Sequence, residues 1–342
     1  MYPVMVAIGF FAYLIYFKTV PVKREKIDRA SENRLLFVTI LGFLALFVSA
    51  FVMNSFFHSI KEGRIVVGGI TWLGGVLGLI PAVYLLIHFF VPKRRGDELH
   101  CFSTMMPGLV LAHGFGRLGC FFGGCCYGAP TDSFLGVVFP AGSAAGKEHP
   151  DYNAAAELLK IVEKEVEENG EIITVTETLY PSVPVLPTQL FEAAFAFILF
   201  AVMLIFYKKL RYNNVEIYAF AYGIFRFVLE FWRGDDRGAT GIALSPSQIM
   251  SLILMGYATV LILYRKGIIF GKLHARCEMW RAEADKLPTV SLISSVASAV
   301  KRSTVSAEDG ANKIRELHSL MEDGIISVEE FEKKKTEILA RM

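Results

Sequence analysis

The chain has 342 residues, a mean hydropathy of +0.45, 54% hydrophobic and 20% charged residues, a composition too apolar for a soluble globular chain of this size. Its net charge of +2 comes with no dense Lys/Arg stripe interleaved with aromatics, which argues against nucleic acid as a partner. Five cysteines, three of them at 120, 125 and 126, are too few and too clustered for a secreted disulfide framework.

Residues 35–57, 66–91 and 238–264 each run for more than about 20 positions without Asp, Glu, Lys or Arg, the length needed to cross roughly 30 Å of hydrocarbon. Seven spans are predicted, over residues 4–20, 35–57, 66–91, 102–122, 187–207, 215–231 and 245–264. Lys23-Arg24-Glu25-Lys26 follows the first span with no small-residue cleavage motif, so that span is read as a retained helix and not as a removed signal peptide. Lys and Arg concentrate at residues 18–34, 93–95, 208–211 and after Tyr264, which are alternate connections and therefore cytoplasmic. The amino terminus then lies outside and the carboxy terminus inside.

The insertion at 129–185 falls on the outer side and holds three Lys against ten acidic residues. Within it, residues 152–168 carry a helical periodicity and residues 171–180 a β-branched run, which predicts a small extracytoplasmic cap. Beyond Tyr264 the chain is polar, with a Ser/Val/Ala-rich stretch from Pro288 to Ser306. Two amphipathic helices are predicted over 312–321 and 328–341. Gly324 would end the first, and Ser327 with Glu330 would form a capping box on the second, with Ile326 and Phe331 as its hydrophobic staple. This hairpin resembles the short carboxy-terminal domain called SHOCT, which implies self-association or partner contact and no chemistry. The expected fold is therefore an all-α polytopic membrane protein: a seven-helix domain over 1–265, a cytoplasmic linker over 266–311 and a helical hairpin tail over 312–342.

A charge near the middle of a membrane helix costs on the order of 3 kcal/mol on insertion scales, so such residues usually face a polar cavity. Arg117 stands at the end of span four, Glu192 one turn into span five, and Arg226 and Glu230 share a face of span six with Tyr222 one turn before them. Arg233 and Gln248 follow near the same end. From His113 to Gly128 the chain places six Gly in sixteen residues, which predicts irregular backbone at membrane depth. Close helix packing would explain Gly116, Gly119 and Gly123 equally well.

Three blocks in order carry a family resemblance. Gly116-Arg117-Leu118-Gly119-Cys120-Phe121 with Gly128, Pro187-Thr188-Gln189-Leu190-Phe191-Glu192-Ala193, and Tyr222-Gly-Ile-Phe-Arg226-Phe-Val-Leu-Glu230-Phe-Trp-Arg233 resemble the signatures of the prolipoprotein diacylglyceryl transferases. Leu244-Ser245-Pro246-Ser247-Gln248 is similar to a fourth block. The resemblance implies a multi-pass enzyme of the bacterial inner membrane that moves diacylglyceryl from phosphatidylglycerol to the lipobox Cys of a preprolipoprotein, releasing glycerol phosphate. On it, Arg117 and Arg226 hold the phosphate, Glu192 and Glu230 orient them, and Tyr222 and Gln189 bond glycerol or ester oxygens, with Arg233 and Gln248 in the same binding set.

The sequence departs from the pattern in its acceptor half. Leu73 stands before Gly74-Gly75 where the family typically has His, Cys120 replaces an Asn, Cys125 replaces a Glu, and Leu186 replaces a His. His113, one turn before Arg117, would supply the missing imidazole or act as a structural hydrogen bonder. Cys120, Cys125 and Cys126 remain open to apolar packing, a disulfide, metal ligation with His113, or nucleophilic chemistry. The adjacency of Cys125 and Cys126 argues against a shared tetrahedral metal, so no metal and no cofactor are expected. Two alternatives stand beside the transferase: a phospholipid-dependent transferase with another acceptor, and a non-catalytic lipid-binding or thiol-sensing membrane protein.

Reporter fusions test the orientation. A reporter after Gly146 is expected to read as extracytoplasmic and one after Lys266 as cytoplasmic; a cytoplasmic signal at Gly146 would invert the assignment.

Overall fold

The computed structural model describes residues 1–168, 171–234, 240, 243–284, 312, 314–319, 321–322 and 328–339. The chain divides into two compact units, one of Met1–Ile27 with Arg34–Leu287, the other of Asp28–Asn33 with Pro288–Met342.

Seven long helices stand where apolar runs predict them: α1 (Tyr2–Phe17), α2 (Arg29–Glu62), α3 (Trp72–Phe90), α4 (Glu98–Phe122), α6 (Thr188–Ile205), α8 (Asn214–Leu229) and α9 (Pro246–Arg265). Among the described residues, five are long and apolar enough to cross a membrane, α1 counted with the π-helical turn Lys18–Val22 that continues it. That turn holds Pro21, which has no N–H for the regular helical ladder. The two that fall short, α4 and α8, are the ones that carry Arg117 and Arg226. The chain is a multi-pass, mostly helical membrane protein.

α4 runs between α1 and α6, and small residues set the approach. A Cβ on Gly114 would lie 2.7 Å from the Phe197 ring of α6, and one on Gly119 would lie 3.0 Å from the Tyr2 ring of α1. The glycine-rich segment is therefore regular helix through Phe122, contrary to the irregular backbone expected from its composition. Close packing, which holds where lipid gives no hydrophobic drive to helix association, outweighs the propensity cost of glycine. Gly116 is an exception, facing open space. Irregular backbone begins only at Gly124, which is left-handed (φ +63°), and Cys126 (φ 65°). Interhelical hydrogen bonds add to the packing. The hydroxyls of Tyr13 and Thr39 lie 3.0 Å apart, and the Tyr16 hydroxyl donates to the Thr104 carbonyl at 2.9 Å.

At the end of the bundle that carries the basic loops, ion pairs and charged hydrogen bonds tie the chain together. Arg265 of α9 pairs with the buried Glu216 of α8 and also donates to Ser103 Oγ of α4 at 3.2 Å. Glu98 accepts from the Gly96 N–H at 3.0 Å and meets His88 Nδ1 at 2.7 Å. Arg211, just after the short helix α7 (Tyr207–Leu210), bonds both Glu25 carboxylate oxygens at 2.8 and 2.9 Å. The polar segment after Tyr264 contains a helix that its low amphipathicity hides in sequence, α10 (Gly271–Ala284). Arg281 fastens it to Asp97 at 3.2 Å and to the Gly96 carbonyl at 3.0 Å. Burial raises the Asp97 pKa, but the hydrogen bond from His100 and the charges of His100, Arg281 and Arg94 outweigh it and hold the carboxyl below the usual range.

The insertion folds onto the opposite end. Tyr127, Phe139, Ala145 and Val185 form a small core under the helix α5 (Ala144–Glu148), which Ser143 caps, and the Tyr127 hydroxyl donates to Glu148. The helix expected over 152–168 is instead a single 3-10 turn, Ala156–Leu158, followed by the strand β1 (Lys160–Glu168). β1 pairs antiparallel with β2 (Glu171–Leu179), with Lys160 opposite Leu179 and Glu168 opposite Glu171. Lys-Ile-Val-Glu-Lys-Glu-Val-Glu-Glu lacks a clean period of two, with Ile161 and Val162 adjacent, and pairing with the β-branched partner decides for the strand. Asn169-Gly170, the two residues between the strands, is a strong hairpin-turn dipeptide in sequence.

In the second unit, residues 314–319 and Val328–Leu339 are helical, and the rings of His318 and Phe331 meet edge to face with centroids 5.6 Å apart. The staple position Phe331 is buried. Gly324, Ile326, Ser327 and the stretch 288–306 lie outside the described residues.

Removing one partner of a buried ion pair leaves an uncompensated charge and costs about 3–5 kcal/mol. Glu216→Gln is therefore expected to lower the thermal midpoint of the detergent-solubilised protein, and Glu216→Gln with Arg265→Met to recover much of the loss. Equal midpoints for wild type and the single variant would show that the pair contributes nothing.

Candidate functional site

Three helices meet at one carboxylate. Glu192 lies one turn into α6, fully buried. Its Oε1 accepts from the Tyr222 hydroxyl of α8 at 2.5 Å, forms an ion pair with Arg117 Nε of α4 at 3.0 Å, and lies 3.4 Å from His113 Nε2. Arg117 and His113 are four residues apart on α4, so both project from one face, and Arg117 Nε also donates to His113 Nε2 at 3.2 Å. The second carboxylate oxygen, Oε2, is buried with no hydrogen-bond partner. In a water-poor interior an ionised carboxylate is tolerable only beside a cation, and Arg117 never loses its charge.

His113 is enclosed by aromatics. Trp72, the first residue of α3, stacks on the imidazole with ring centroids 4.3 Å apart and planes 13° from parallel. Trp72 Nε1 donates to the Tyr218 hydroxyl at 3.0 Å, and that hydroxyl lies 3.5 Å from His113 Nδ1. Leu73, at the position where the family typically carries His, is buried beside this stack. The α3 start thus faces the imidazole of α4 with an indole.

The second charged pair is local. Arg226 and Glu230 stand one helical turn apart, with Nη1 2.6 Å from Oε2, and both side chains are nearly fully buried. Arg226 Nη2 donates to Ser247 Oγ at 3.0 Å, while Glu230 Oε1 accepts from Ser245 Oγ at 2.7 Å. Ser245 and Gln248 form a capping box at the start of α9, so that helix terminus is held against the pair. Arg226 is also near enough to add its field at Glu192.

Gln189, Arg233 and the cysteines form a third group. Gln189 Nε2 donates to the Cys125 carbonyl at 2.8 Å, leaving the buried Oε1 without a partner. Arg233 Nη1 donates to the Cys126 carbonyl at 2.5 Å, and Thr188 Oγ1 donates to the same atom at 2.9 Å. These side chains fix the loop backbone. The sulfurs of Cys120, Cys125 and Cys126 all lie within 4.8 Å of one another. The adjacency of Cys125 and Cys126 predicts no common centre, yet the three sulfurs lie together, with Cys126 in a left-handed backbone conformation. His113 is not in that group; it belongs to Glu192.

The structure thus brings His113, Arg117, Glu192 and Tyr222 together, pairs Arg226 with Glu230, and places Gln189, Arg233 and Gln248 on backbone and cap atoms. Sequence reasoning missed Trp72, Tyr218 and Ser247. Tyr218 stands four residues before Tyr222 on α8, a spacing that extends the polar stripe by one turn. Trp72 is signalled only by its place next to Leu73.

A family profile described as prolipoprotein diacylglyceryl transferase matches residues 1–264. Similar relatives include phosphatidylglycerol–prolipoprotein diacylglyceryl transferase 2 of Clostridium perfringens, 33% identical over 202 residues that cover 58% of this chain and 61% of that protein. The phosphatidylglycerol–prolipoprotein diacylglyceryl transferase of Clostridium tetani is 27% identical over 73% of this chain and 87% of its own. That of Stenotrophomonas maltophilia is 29% identical over 76% and 86%. With its matched region taking in every buried charge of the site, the chain belongs to the prolipoprotein diacylglyceryl transferase family.

Proposed function

We propose that the chain transfers diacylglyceryl from phosphatidylglycerol to the lipobox Cys of a prolipoprotein. The observation that carries this reading is that, in a chain of this family, two buried arginines are each held desolvated against a glutamate on the same bundle. In the reaction the acceptor sulfur forms a bond to the terminal glyceryl carbon. The C–O bond to phosphate breaks, its electron pair leaves with glycerol phosphate, and the thiol proton goes to a base.

Arg117 and Arg226 supply paired donors for the phosphate and offset the charge that develops on the leaving group. Glu192 and Glu230 are positioning residues. The arriving phosphate competes with Glu192 for Arg117, and as Arg117 turns toward it His113 Nε2 loses the donor it now accepts. That frees an imidazole lone pair to take the thiol proton. The single orphaned oxygen of Glu192 supports this exchange, because the carboxylate already holds fewer donors than it can accept. Seven spans, an outside amino terminus, a cytoplasmic carboxy terminus in the inner membrane, and self-association through the SHOCT-like tail complete the proposal. A different acceptor is the second reading, favoured by Leu73, Cys120 and Cys125 at positions where the family typically has other chemistry.

Complementation of a transferase-depleted bacterium, with lipoprotein lipidation read by mass spectrometry, separates the two. Arg117→Gln and Arg226→Gln are each expected to lower transfer by about 100-fold or more, and Arg→Lys to restore little, since an ammonium does not reproduce a two-point fork on phosphate. Transfer at the parent rate in both Gln variants would overturn the enzyme reading. Lipidation of another acceptor by a chain that fails to complement would favour the second.

A further inference from the structure

We propose that Cys120, Cys125 and Cys126 form a binding site for one thiophilic d10 metal ion of the Zn2+ class, held as three thiolates. Their sulfurs already lie within 4.8 Å of one another. Zn–S bonds of about 2.3 Å at tetrahedral angles place sulfurs about 3.8 Å apart, so closure on an ion needs a contraction of about 1 Å at most. Side-chain rotation alone covers that distance.

The loop that presents the sulfurs is built in that shape. The Cys125 N–H and thiol both point to the Cys120 carbonyl, at 3.2 and 3.7 Å. Gln189 holds the Cys125 carbonyl, while Arg233 and Thr188 hold that of Cys126. Cys126 sits at φ 65°, a left-handed conformation that costs a non-glycine residue on the order of 1 kcal/mol. Glycine would be the ordinary occupant of such a turn, and a cysteine there places a third sulfur in the group. The three thiols are half-buried at the bundle end, whereas Cys101 and Cys277 are buried and stand elsewhere.

Three thiolates on a divalent ion leave a net charge of −1, and Arg233, bonded to the Cys126 carbonyl, stands beside the group as a cation, while Arg117, three residues before Cys120 on α4, is paired with Glu192. Loading is balanced as one divalent ion in and three thiol protons out to solvent, with no electron transferred. Three protein ligands leave a tetrahedral ion one position for water or another donor.

The test uses the full chain, reduced and detergent-solubilised, loaded with Zn2+ or with Cd2+ as a spectroscopic probe and then desalted. The expected result is one ion per chain with a near-ultraviolet thiolate-to-Cd2+ charge-transfer band. Both should persist in Cys101→Ser/Cys277→Ser and vanish in Cys120→Ser/Cys125→Ser/Cys126→Ser. Should the triple variant fail to fold, Cys126→Gly removes one ligand while relaxing the left-handed residue, and it is expected to weaken Zn2+ binding by at least about 10-fold. No retained ion, equal retention in the triple variant or unchanged affinity in Cys126→Gly would overturn the site. So would a disulfide between two of these three cysteines in the isolated protein, found by non-reducing mass spectrometry.

Discussion

Glu192 is the point on which the bundle turns. Hydrocarbon cannot solvate a carboxylate, so every helix that approaches this residue must bring something to it: α4 brings Arg117 and His113, and α8 brings the Tyr222 hydroxyl. Those contacts require the α4 and α6 backbones to come close. Gly114 permits it, because any larger side chain would meet the Phe197 ring. The glycine pattern and the charge pattern on α4 therefore answer one demand, and neither is intelligible without the other.

A guanidinium already stripped of water and aimed by a carboxylate is prepared for an anion. In the proposed reaction Arg117 and Arg226 exchange one oxyanion for another when phosphate enters and need little further desolvation, which is the condition under which charge pairs act strongly on a reaction. The local geometry differs between the two. Arg226 takes its carboxylate from its own helix, one turn on, and borrows Ser247 from α9. Arg117 takes its carboxylate from another helix, so movement of α6 against α4 would alter its aim while leaving that of Arg226 intact.

What was legible in the sequence follows from how far each signal reaches. The long apolar runs locate seven helices, and the Arg226–Glu230 pair is visible at once because i and i+4 share a helical face. Gln189 and Gln248 were read as ligand-binding because their blocks match a family pattern, but their hydrogen bonds go to the Cys125 carbonyl and the Ser245 N–H, partners that no local spacing reveals. Residues 160–168 show no clean period of two, and only the partner strand makes them a strand. The stack of Trp72 on His113 joins residues 41 positions apart and has no one-dimensional trace. Adjacent cysteines are kept from one centre by ordinary backbone angles, and the left-handed φ of Cys126, which has no trace in the sequence, departs from them.

The departures from the family pattern also gain sense when placed in space. Cys125 is held by Gln189, and the Leu186 carbonyl accepts from Gly128 at 2.8 Å, so the loop carrying the cysteines and the segment entering α6 are one hydrogen-bonded unit. Cys120, Cys125 and Leu186 thus lie within a single structural neighbourhood, whereas Arg117 with Glu192 and Arg226 with Glu230 carry the buried charge. Leu73 stands apart from that neighbourhood, yet its neighbour Trp72 stacks on the one imidazole that touches Glu192. At the α3 start an aromatic ring clamps a polar group from α4. The buried Arg–Glu pairs are bound to one another by charge balance, whereas around the cysteines packing, thiol chemistry and hydrogen bonding can substitute for one another.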